Sequence, residues 1–137
     1  MFWCFGVLVF WCFGALVLCV IALAGQAVAE GDPGKGEKLF KGFLNCSNCH
    51  SLDAGETKVG PTLAGLFGRK AGSVEGFKQY SEAMVNSGVV WDEETLNKFL
   101  KNPKEFIPGN SMMIVRSVSS DRHRADLIAY LNLITAQ

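Results

Sequence analysis

The chain has 137 residues, enough for one domain, and its 13 basic and 13 acidic side chains give a formal net charge of zero at pH 7. Nucleic-acid-binding domains are strongly basic, so this balance argues against a nucleic-acid partner. Residues 2–29 carry no charged side chain, and every Lys, Arg, Asp and Glu lies from Glu30 onward. The sequence therefore divides into an apolar leader and a polar domain.

The leader contains a tandem repeat, because residues 2–9 and 10–17 are identical at seven of eight positions. Residues 2–24 are uncharged, and at about 1.5 Å per residue a helix of this length reaches about 35 Å, enough to span a bilayer. With one copy of the repeat, the apolar run would have the ordinary length of a signal-peptide core. Residues 27–29 (Ala-Val-Ala) fit the small-x-small pattern for cleavage before Glu30.

These features predict that residues 1–29 are a signal peptide or a membrane anchor, forming a hydrophobic leader helix, and that residues 30–137 form the functional domain. No Lys or Arg precedes the apolar run, which weakens the signal-peptide interpretation and leaves the anchor open. Either interpretation predicts a periplasmic domain that is exported and is either soluble or anchored to the inner membrane.

The first helix of the domain is predicted over residues 35–44, whose apolar residues recur at helical spacing: Leu39, Phe40, Phe43 and Leu44. It leads into the sequence CSNCH at residues 46–50, which is the attachment pattern of a c-type haem. Two thiols three residues apart lie on the same side of a helical turn, where each can form a thioether with one haem vinyl group. The His that follows is then held against the iron.

Two other kinds of site also use paired cysteines. A zinc site needs four ligands, and after residue 29 the candidates are Cys46, Cys49, His50 and His123, of which two are adjacent and one is distant. A thioredoxin-like dithiol pair belongs in a βαβ unit, and the sequence has no such pattern. Covalent haem is the favoured interpretation, with zinc and dithiol chemistry as the alternatives.

The remainder of the domain alternates loops and helices. Residues 51–76 contain six glycines and little periodicity, which predicts an ordered loop that wraps a large group such as a haem. Helical character is weak over residues 77–87 and strong after Asp92, a good N-cap, until Pro103 ends the helix. Residues 103–119 are predicted to form a second loop.

The last helix is predicted to begin at Ser120 or Asp121, and its apolar face consists of Leu127, Ile128, Leu131 and Ile134. No strand pattern persists anywhere in the sequence. The predicted fold class is therefore all-α, with helices and loops wrapped around one covalently bound haem and preceded by the leader helix.

A haem that carries electrons needs a second axial ligand, and Met suits this role because a thioether favours the reduced iron and raises its potential. Met84 lies in the weak helix and is expected in the core or at the surface. Met112 and Met113 follow the rigid Pro108-Gly109 turn, which can present a side chain to the iron. Without the haem motif, such a pair would be interpreted as gap-filling.

From about residue 31 to residue 133 the sequence resembles class I cytochromes c of the mitochondrial type, which is also found in bacteria. Besides CSNCH, the resemblance rests on Gly60-Pro61-Thr62-Leu63, Gly65-Leu66-Phe67-Gly68-Arg69, Trp91, Asn102-Pro103, Ile107-Pro108-Gly109 and Arg124-Ala125-Asp126-Leu127-Ile128-Ala129-Tyr130-Leu131. It implies the class I cytochrome c fold and one haem c attached through Cys46 and Cys49.

The resemblance also implies roles for individual side chains. His50 would be the proximal iron ligand, and the Pro61 carbonyl would accept a hydrogen bond from its ring. Arg69, Tyr80 and Trp91 would hold the haem propionates, since an unpaired buried charge is costly. The alternative for these three residues is ordinary surface charge or aromatic core.

The resemblance leaves the sixth ligand ambiguous. The family pattern P-G-x-x-M, counted from Pro108-Gly109, selects Met112, whereas counting back from Arg124 selects Met113. Met112 is preferred, because the rigid turn is nearer to it. Phe99 stands where the mitochondrial proteins usually have a Tyr near the Met sulfur, which removes a hydrogen-bond donor.

The resemblance further implies that the first helix packs against the last, with Gly36 and Phe40 meeting Leu127 and Tyr130. A glycine one turn before Phe40 would let another backbone approach closely. The alternative for Gly36 is a tolerated surface glycine.

The implied function is a single-electron carrier, and not an enzyme, with His50 and Met112 as axial ligands. It would shuttle electrons between respiratory or photosynthetic membrane complexes, such as a cytochrome bc-type donor and a terminal oxidase. Lys98, Lys101 and Lys104 form either a patch that steers an acidic partner or an ordinary solvated face. The alternative function is a haem peroxidase or a gas-sensing haem protein with a labile sixth ligand.

Overall fold

The computed structural model describes residues 30–112 and 117–135. Five α-helices lie within these ranges: α1 (Pro33–Lys38), α2 (Glu82–Asn86), α3 (Glu93–Lys101), α4 (Pro103–Phe106) and α5 (Asp121–Thr135). A π-helical turn (Leu39–Phe43) continues α1, and a 3-10 turn (Cys46–Asn48) follows it. Strand-like pairing among the described residues amounts to one isolated bridge between Lys70 and Val90. The prediction of an all-α fold is confirmed.

The predicted leader helix, residues 1–29, lies outside the described residues, and so does Met113. Within the two described ranges, every helix is too short or too polar to cross a membrane. The signal-peptide and membrane-anchor interpretations of residues 1–29 therefore stay predictions.

The first helix begins earlier than predicted, because Asp32 caps it. The Asp32 carboxylate accepts a hydrogen bond from the Lys35 amide at 3.1 Å, and Pro33 occupies a first-turn position, where no N–H is needed. From Leu39 the helix widens into the π-helical turn. Phe43, a member of the predicted apolar set, is 67% exposed at the end of this turn, because one extra residue per turn rotates the side chains that follow.

The first helical segment packs against α5 at very close range. A Cβ atom on Gly36 would lie 2.0 Å from the carbonyl oxygen of Asp126, so only glycine fits there. One turn later the rings of Phe40 and Tyr130 are in contact, with centroids 5.7 Å apart. The Asp126 carboxylate also accepts a hydrogen bond from the Asp32 amide at 2.7 Å. The predicted packing of the first helix against the last is confirmed.

The region around α3 and α4 agrees with prediction at one end and differs at the other. Asp92 caps α3 by accepting a hydrogen bond from the Thr95 amide at 2.7 Å. Pro103 was expected to open a loop, but it begins α4, because Asn102 caps that helix and its side chain accepts a hydrogen bond from the Glu105 amide at 3.4 Å. The predicted loop of residues 103–119 is therefore wrong over its first turn.

A serine precedes each of the other two helices, α2 and α5, and its side chain accepts a hydrogen bond from a first-turn amide. Ser81 caps α2 and accepts a hydrogen bond from the Met84 amide at 3.2 Å, so the weak helix of residues 77–87 is reduced to its C-terminal half. Ser120 accepts a hydrogen bond from the His123 amide at 3.3 Å, which sets the predicted start of α5.

One hydrophobic core joins the helices. Its buried members are Phe40, Leu66, Ala71, Met84, Trp91, Leu96, Phe99, Leu100, Ile107, Val118, Leu127, Ile128, Tyr130 and Leu131. Met84 thus belongs to the core, which is one of the two positions expected for it. Burial of a single leucine of this kind contributes about 2–3 kcal/mol relative to leaving it exposed.

Candidate haem site

The CSNCH segment forms a single tight turn. Asn45 adopts the left-handed conformation with φ of 52°, which asparagine tolerates better than most residues, and this reverses the chain after the π-helical turn. The carbonyl oxygen of Cys46 then accepts hydrogen bonds from the amides of Cys49 at 3.1 Å and His50 at 2.9 Å. Both thiols and the imidazole therefore belong to one turn of the chain, as the spacing predicts.

The side chains of Cys46 and Cys49 are both half-buried. Burial raises the pKa of the Cys46 thiol to about 11, with a small further increase from the nearby Cys49. The unbound Cys46 thiol is therefore protonated at neutral pH. The described residues include no cluster of three or more His, Cys, Asp or Glu side chains arranged to hold a metal ion. The lack of such a cluster among the described residues disfavours the zinc alternative, which needs four ligands.

The ring of His50 is fixed by a hydrogen bond. Its Nδ1 atom lies 2.8 Å from the carbonyl oxygen of Pro61, so Nδ1 carries the proton and donates it. Burial lowers the pKa of His50, an effect that the Pro61 hydrogen bond opposes. The imidazole is therefore neutral at pH 7 and its Nε2 atom is unprotonated, which is the form that binds iron.

The loop after the motif lies against the imidazole because it contains a glycine. The amide of Gly60 donates a hydrogen bond to the Cys49 carbonyl at 2.8 Å, and a Cβ atom at position 60 would lie only 2.5 Å from Cε1 of His50. Lys58 Nζ also donates a hydrogen bond to the Ser47 carbonyl oxygen at 3.0 Å. The Gly60-Pro61 pair thus provides both the close approach and the acceptor.

Of the three residues expected at the haem propionates, Arg69 and Trp91 are brought together by backbone hydrogen bonds. Backbone hydrogen bonds of 2.9 Å from Trp91 to Arg69, and of 2.7 Å from Gly68 to Trp91, bring Arg69 and Trp91 side by side. Trp91 is buried and its ring packs edge-on against Phe99, with centroids 5.1 Å apart. Tyr80 is half-buried; burial raises the pKa of its hydroxyl group, and a backbone hydrogen bond with Val74 and then the charge of Arg69 oppose this increase.

The Arg69 guanidinium already has two partners. It donates hydrogen bonds to the carbonyl oxygens of Ala64 at 2.6 Å and Thr62 at 2.9 Å. Burial lowers the pKa of Arg69, and the nearby Tyr80 partly offsets the effect. Because a guanidinium has five N–H groups, Arg69 retains donors for an anionic group as well.

Met112 and Met113 are the two candidate sixth ligands. Met112 is partly buried and packs against the core, and its amide donates a hydrogen bond to Oδ1 of Asn110 at 3.2 Å. Met113 lies outside the described residues.

The residues present fit a haem. Two thiols and a neutral imidazole share one turn, and apolar side chains that pack on the core are left partly exposed, as expected for surface that a large apolar group covers: Leu44, Leu52, Leu63, Phe67, Tyr80 and Met112. A haem bound here would be held by Cys46, Cys49 and His50.

Sequence reasoning did not assign a role to two residues that organise this region. Arg124 is 2% exposed; its Nε atom donates to Oδ1 of Asn97 at 2.6 Å, and its guanidinium also donates to the carbonyl oxygens of Val118 and Ser119. Asn110 is the other such residue: its Oδ1 atom accepts a hydrogen bond from the backbone amide two residues later, and the available signal was an asparagine directly after Pro108-Gly109.

Comparison with known proteins agrees with this geometry. The family model described as cytochrome c matches residues 34–134. "Cytochrome c type-1" of Ascaris suum is 49% identical over 104 residues, covering 76% of this chain and 89% of the relative. "Cytochrome c" of Stellaria longipes is 48% identical over 103 residues, with 74% and 92% coverage. "Cytochrome c2" of Rhodomicrobium vannielii is 46% identical over 109 residues, with 79% and 83% coverage.

These relatives correct the predicted location. A periplasmic domain, exported or anchored to the inner membrane, was expected from the leader, but relatives such as those of Ascaris suum and Stellaria longipes are proteins of eukaryotes, whose cells have no periplasm. The periplasmic prediction is wrong, because the length and apolarity of a leader do not identify the compartment to which it leads.

The family match covers most of the chain, residues 34–134, and these include Cys46, Cys49 and His50. The relatives are cytochromes c, which carry electrons by means of a haem. The chain therefore belongs to the cytochrome c family, as a class I cytochrome c that binds one c-type haem, with its iron, through Cys46 and Cys49.

Proposed function

We propose that the protein transfers single electrons between membrane-bound redox complexes while His50 and Met112 both stay bound to the haem iron. One observation carries the proposal: the fold restrains each of these residues by its own hydrogen bond. The His50 ring donates to the Pro61 carbonyl at 2.8 Å, and the Met112 amide donates to Asn110 at 3.2 Å. Ligands held in this way require little rearrangement when an electron arrives or leaves.

The bound haem supplies an iron that alternates between Fe(III) and Fe(II). The His50 imidazole stays neutral, with its Nδ1 proton held at the Pro61 carbonyl, and this hydrogen bond increases the basicity of the ligand. A thioether ligand from Met112 would favour the reduced iron. The rings of Trp91 and Phe99 are buried in the hydrophobic core, with centroids 5.1 Å apart.

Three side chains are proposed to hold the haem propionates: Arg69, Tyr80 and Trp91. The support is that backbone pairing brings Arg69 beside Trp91, and that Arg69 has N–H groups beyond those used for Thr62 and Ala64. Pairing with such donors offsets the cost of burying a carboxylate. Residues 30–137 would then form the whole haem-carrying domain.

The partners proposed are a cytochrome bc-type complex as donor and a terminal oxidase as acceptor. The support is the family and a local charge pattern on α3 and α4. Lys101 and Lys104 are exposed, whereas Lys98 is paired with Glu94 at 2.6 Å. In a domain without excess charge, two exposed lysines near each other favour encounter with an acidic surface.

The test is the absorption spectrum of the ferric protein in the far-red region, where a Met sulfur bound to ferric haem gives a weak band. We expect the band in the unmutated protein, its loss in Met112→Ala and its retention in Met113→Ala. Loss in Met113→Ala alone would keep the electron-carrier function and move the ligand by one residue.

The alternative of a haem peroxidase or gas sensor needs an open or labile sixth position. It would predict no far-red band in the unmutated protein and rapid binding of carbon monoxide by its reduced form. As an electron carrier with both axial positions filled, the protein would instead bind carbon monoxide slowly and turn over no substrate.

A further inference from the structure

The side chain of Asn110 links the backbone of Met112 to Pro103, in α4, and to Ile107, which follows α4. The amide nitrogen of Asn110, Nδ2, donates hydrogen bonds to the carbonyl oxygens of Pro103 at 2.7 Å and Ile107 at 2.8 Å. Its amide oxygen, Oδ1, accepts a hydrogen bond from the Met112 amide at 3.2 Å. Both ends of the Asn110 side chain are therefore used, and they join Met112 to two residues that precede the turn.

The two residues whose carbonyl groups bind the Asn110 side chain are held in place by core packing. Pro103 and Ile107 are buried, and Ile107 belongs to the hydrophobic core. The backbone amide of Asn110 donates to the Ile107 carbonyl at 3.1 Å, which closes the chain reversal at residues 108–109. Gly109 has φ of 86°, a conformation that other residues adopt only with strain. The position of Asn110 is therefore set by core packing and by the turn.

The segment on the far side of the Met112 loop is attached to α3. The amide of Val118 donates a hydrogen bond to the Leu100 carbonyl at 2.9 Å, and Val118 is buried. Arg124 donates to the carbonyl oxygen of Val118 from the other side. Residues 110 and 118 are thus both anchored to the α3–α4 unit, and Asn110 is the anchor nearer to Met112.

We propose that Asn110 is a positioning residue for the sixth iron ligand. By holding the Met112 amide against the end of α4, it restricts movement of the Met112 sulfur away from the iron and makes replacement by another ligand less favourable. The inference rests on the proposed function, since it requires Met112 to bind the iron. Asn110 would act through its hydrogen bond to the Met112 backbone amide.

The chemistry of the side chain makes the proposal specific. Asparagine provides two N–H donors and a carbonyl acceptor, all of which are used here. Aspartate has nearly the same size and keeps the acceptor, but its carboxylate cannot donate to the carbonyls of Pro103 and Ile107. Alanine removes all three contacts. A volume effect and a hydrogen-bonding effect can therefore be separated.

The experiment uses the haem-loaded ferric protein and imidazole, which competes with Met for the sixth position. Binding is followed by loss of the far-red band in the wild type, Asn110→Ala and Asn110→Asp. Asn132→Ala is the matched control, because Asn132 Nδ2 also donates a hydrogen bond, to Oε1 of Glu93 at 2.6 Å, on an exposed surface of α5. If Asn110→Ala folds poorly, Asn110→Asp tests the proposal, because aspartate has nearly the same size as asparagine.

We expect imidazole to bind about tenfold more tightly to both Asn110 variants than to the wild type, a factor that the net loss of one or two hydrogen bonds produces. Asn132→Ala should stay within about twofold of the wild type. Equal changes in the Asn110 and Asn132 variants, or no change, would overturn the role of Asn110 and leave Met112 as the ligand. Wild-type behaviour of Asn110→Asp would also overturn it, because the two donors would then be dispensable.

The outcomes also separate this inference from the proposed function. An unmutated protein without the far-red band would overturn both, since no thioether would be bound. Loss of the band in Met113→Ala alone would overturn the role of Asn110 but retain the electron carrier.

Discussion

The Nδ1 atom of His50 lies 2.8 Å from the carbonyl oxygen of Pro61. This hydrogen bond determines which ring nitrogen carries the proton and leaves Nε2 for the iron. The contact exists because the chain at Gly60 passes directly against the ring, where a Cβ atom would lie 2.5 Å from Cε1. The orientation of the proximal ligand thus depends on a residue without a side chain.

Gly60→Ala is expected to displace either the His50 ring or the loop that carries Pro61. We expect a free energy of unfolding about 1–3 kcal/mol lower than in the wild type, the usual cost of overpacking, together with a smaller haem-loaded fraction. Denaturant unfolding and the covalent pigment on a denaturing gel measure the two effects. Gly42→Ala is the control, because among the described residues no atom outside its chain neighbours and its own helix lies within 4 Å of the added Cβ. Equal stability of the two variants would contradict the prediction.

The parts of this site that the sequence predicts are those that depend on spacing along the chain. Cys46, Cys49 and His50 share one turn because residues three and four apart do so in any helical turn. The start of α3 follows from Asp92, whose carboxylate satisfies a free amide of the first turn. In both cases the decisive interaction lies within five residues.

One feature that sequence reasoning missed is local: Asn102 followed by Pro103 is a helix-start signal, so Pro103 ends one helix and also begins the next. The other missed features depend on packing that neighbouring residues do not determine. Phe43 has the spacing of a core residue, yet the π-helical turn leaves it exposed. Arg124 looks like a surface residue of a polar helix start, but Asn97, 27 positions away, accepts its hydrogen bond.

Gly36→Ala should separate the first helix from α5. The added Cβ would lie 2.0 Å from the Asp126 carbonyl oxygen and 2.6 Å from Cβ of Tyr130, and backbone atoms cannot give way cheaply. We expect the free energy of unfolding to fall by about 3 kcal/mol, at the upper end of overpacking costs. Thermal or urea denaturation measures it. Gly42→Ala, which adds the same methyl group in open space, should change stability by no more than about 1 kcal/mol.

Arg124→Met tests the buried guanidinium. The variant retains the apolar stem but leaves the carbonyl oxygens of Val118 and Ser119 without their charged donor. Since hydrogen bonds from charged groups contribute about 1.5–3 kcal/mol each, we expect a loss of at least about 2 kcal/mol in unfolding free energy. Lys98→Met, which removes an exposed ion pair with Glu94, should cost no more than about 0.5 kcal/mol. Similar losses in both variants would show that the buried hydrogen bonds of Arg124 contribute little to stability.

Asp92→Asn should remove part of the acid dependence of stability. Hydrogen bonding from the Thr95 backbone amide and then from the Thr95 hydroxyl, together with smaller effects of Glu94 and Lys98, holds the pKa of Asp92 below its ordinary value of 3.8. A carboxyl group with a lowered pKa in the folded state stabilises the protein above its ordinary pKa, and this contribution is lost as the pH falls through the folded value. Asparagine is also a good N-cap but does not titrate.

At about pH 7 and 5 the Asn variant should therefore be less stable than the wild type, and the difference should shrink towards about pH 3, as the wild-type carboxyl group becomes protonated. Urea midpoints of both proteins at the three pH values measure the change, and the lowest pH serves as the internal control. A difference that stays constant across the range would mean that the Asp92 charge contributes nothing to capping and that only its hydrogen bond to the Thr95 amide matters.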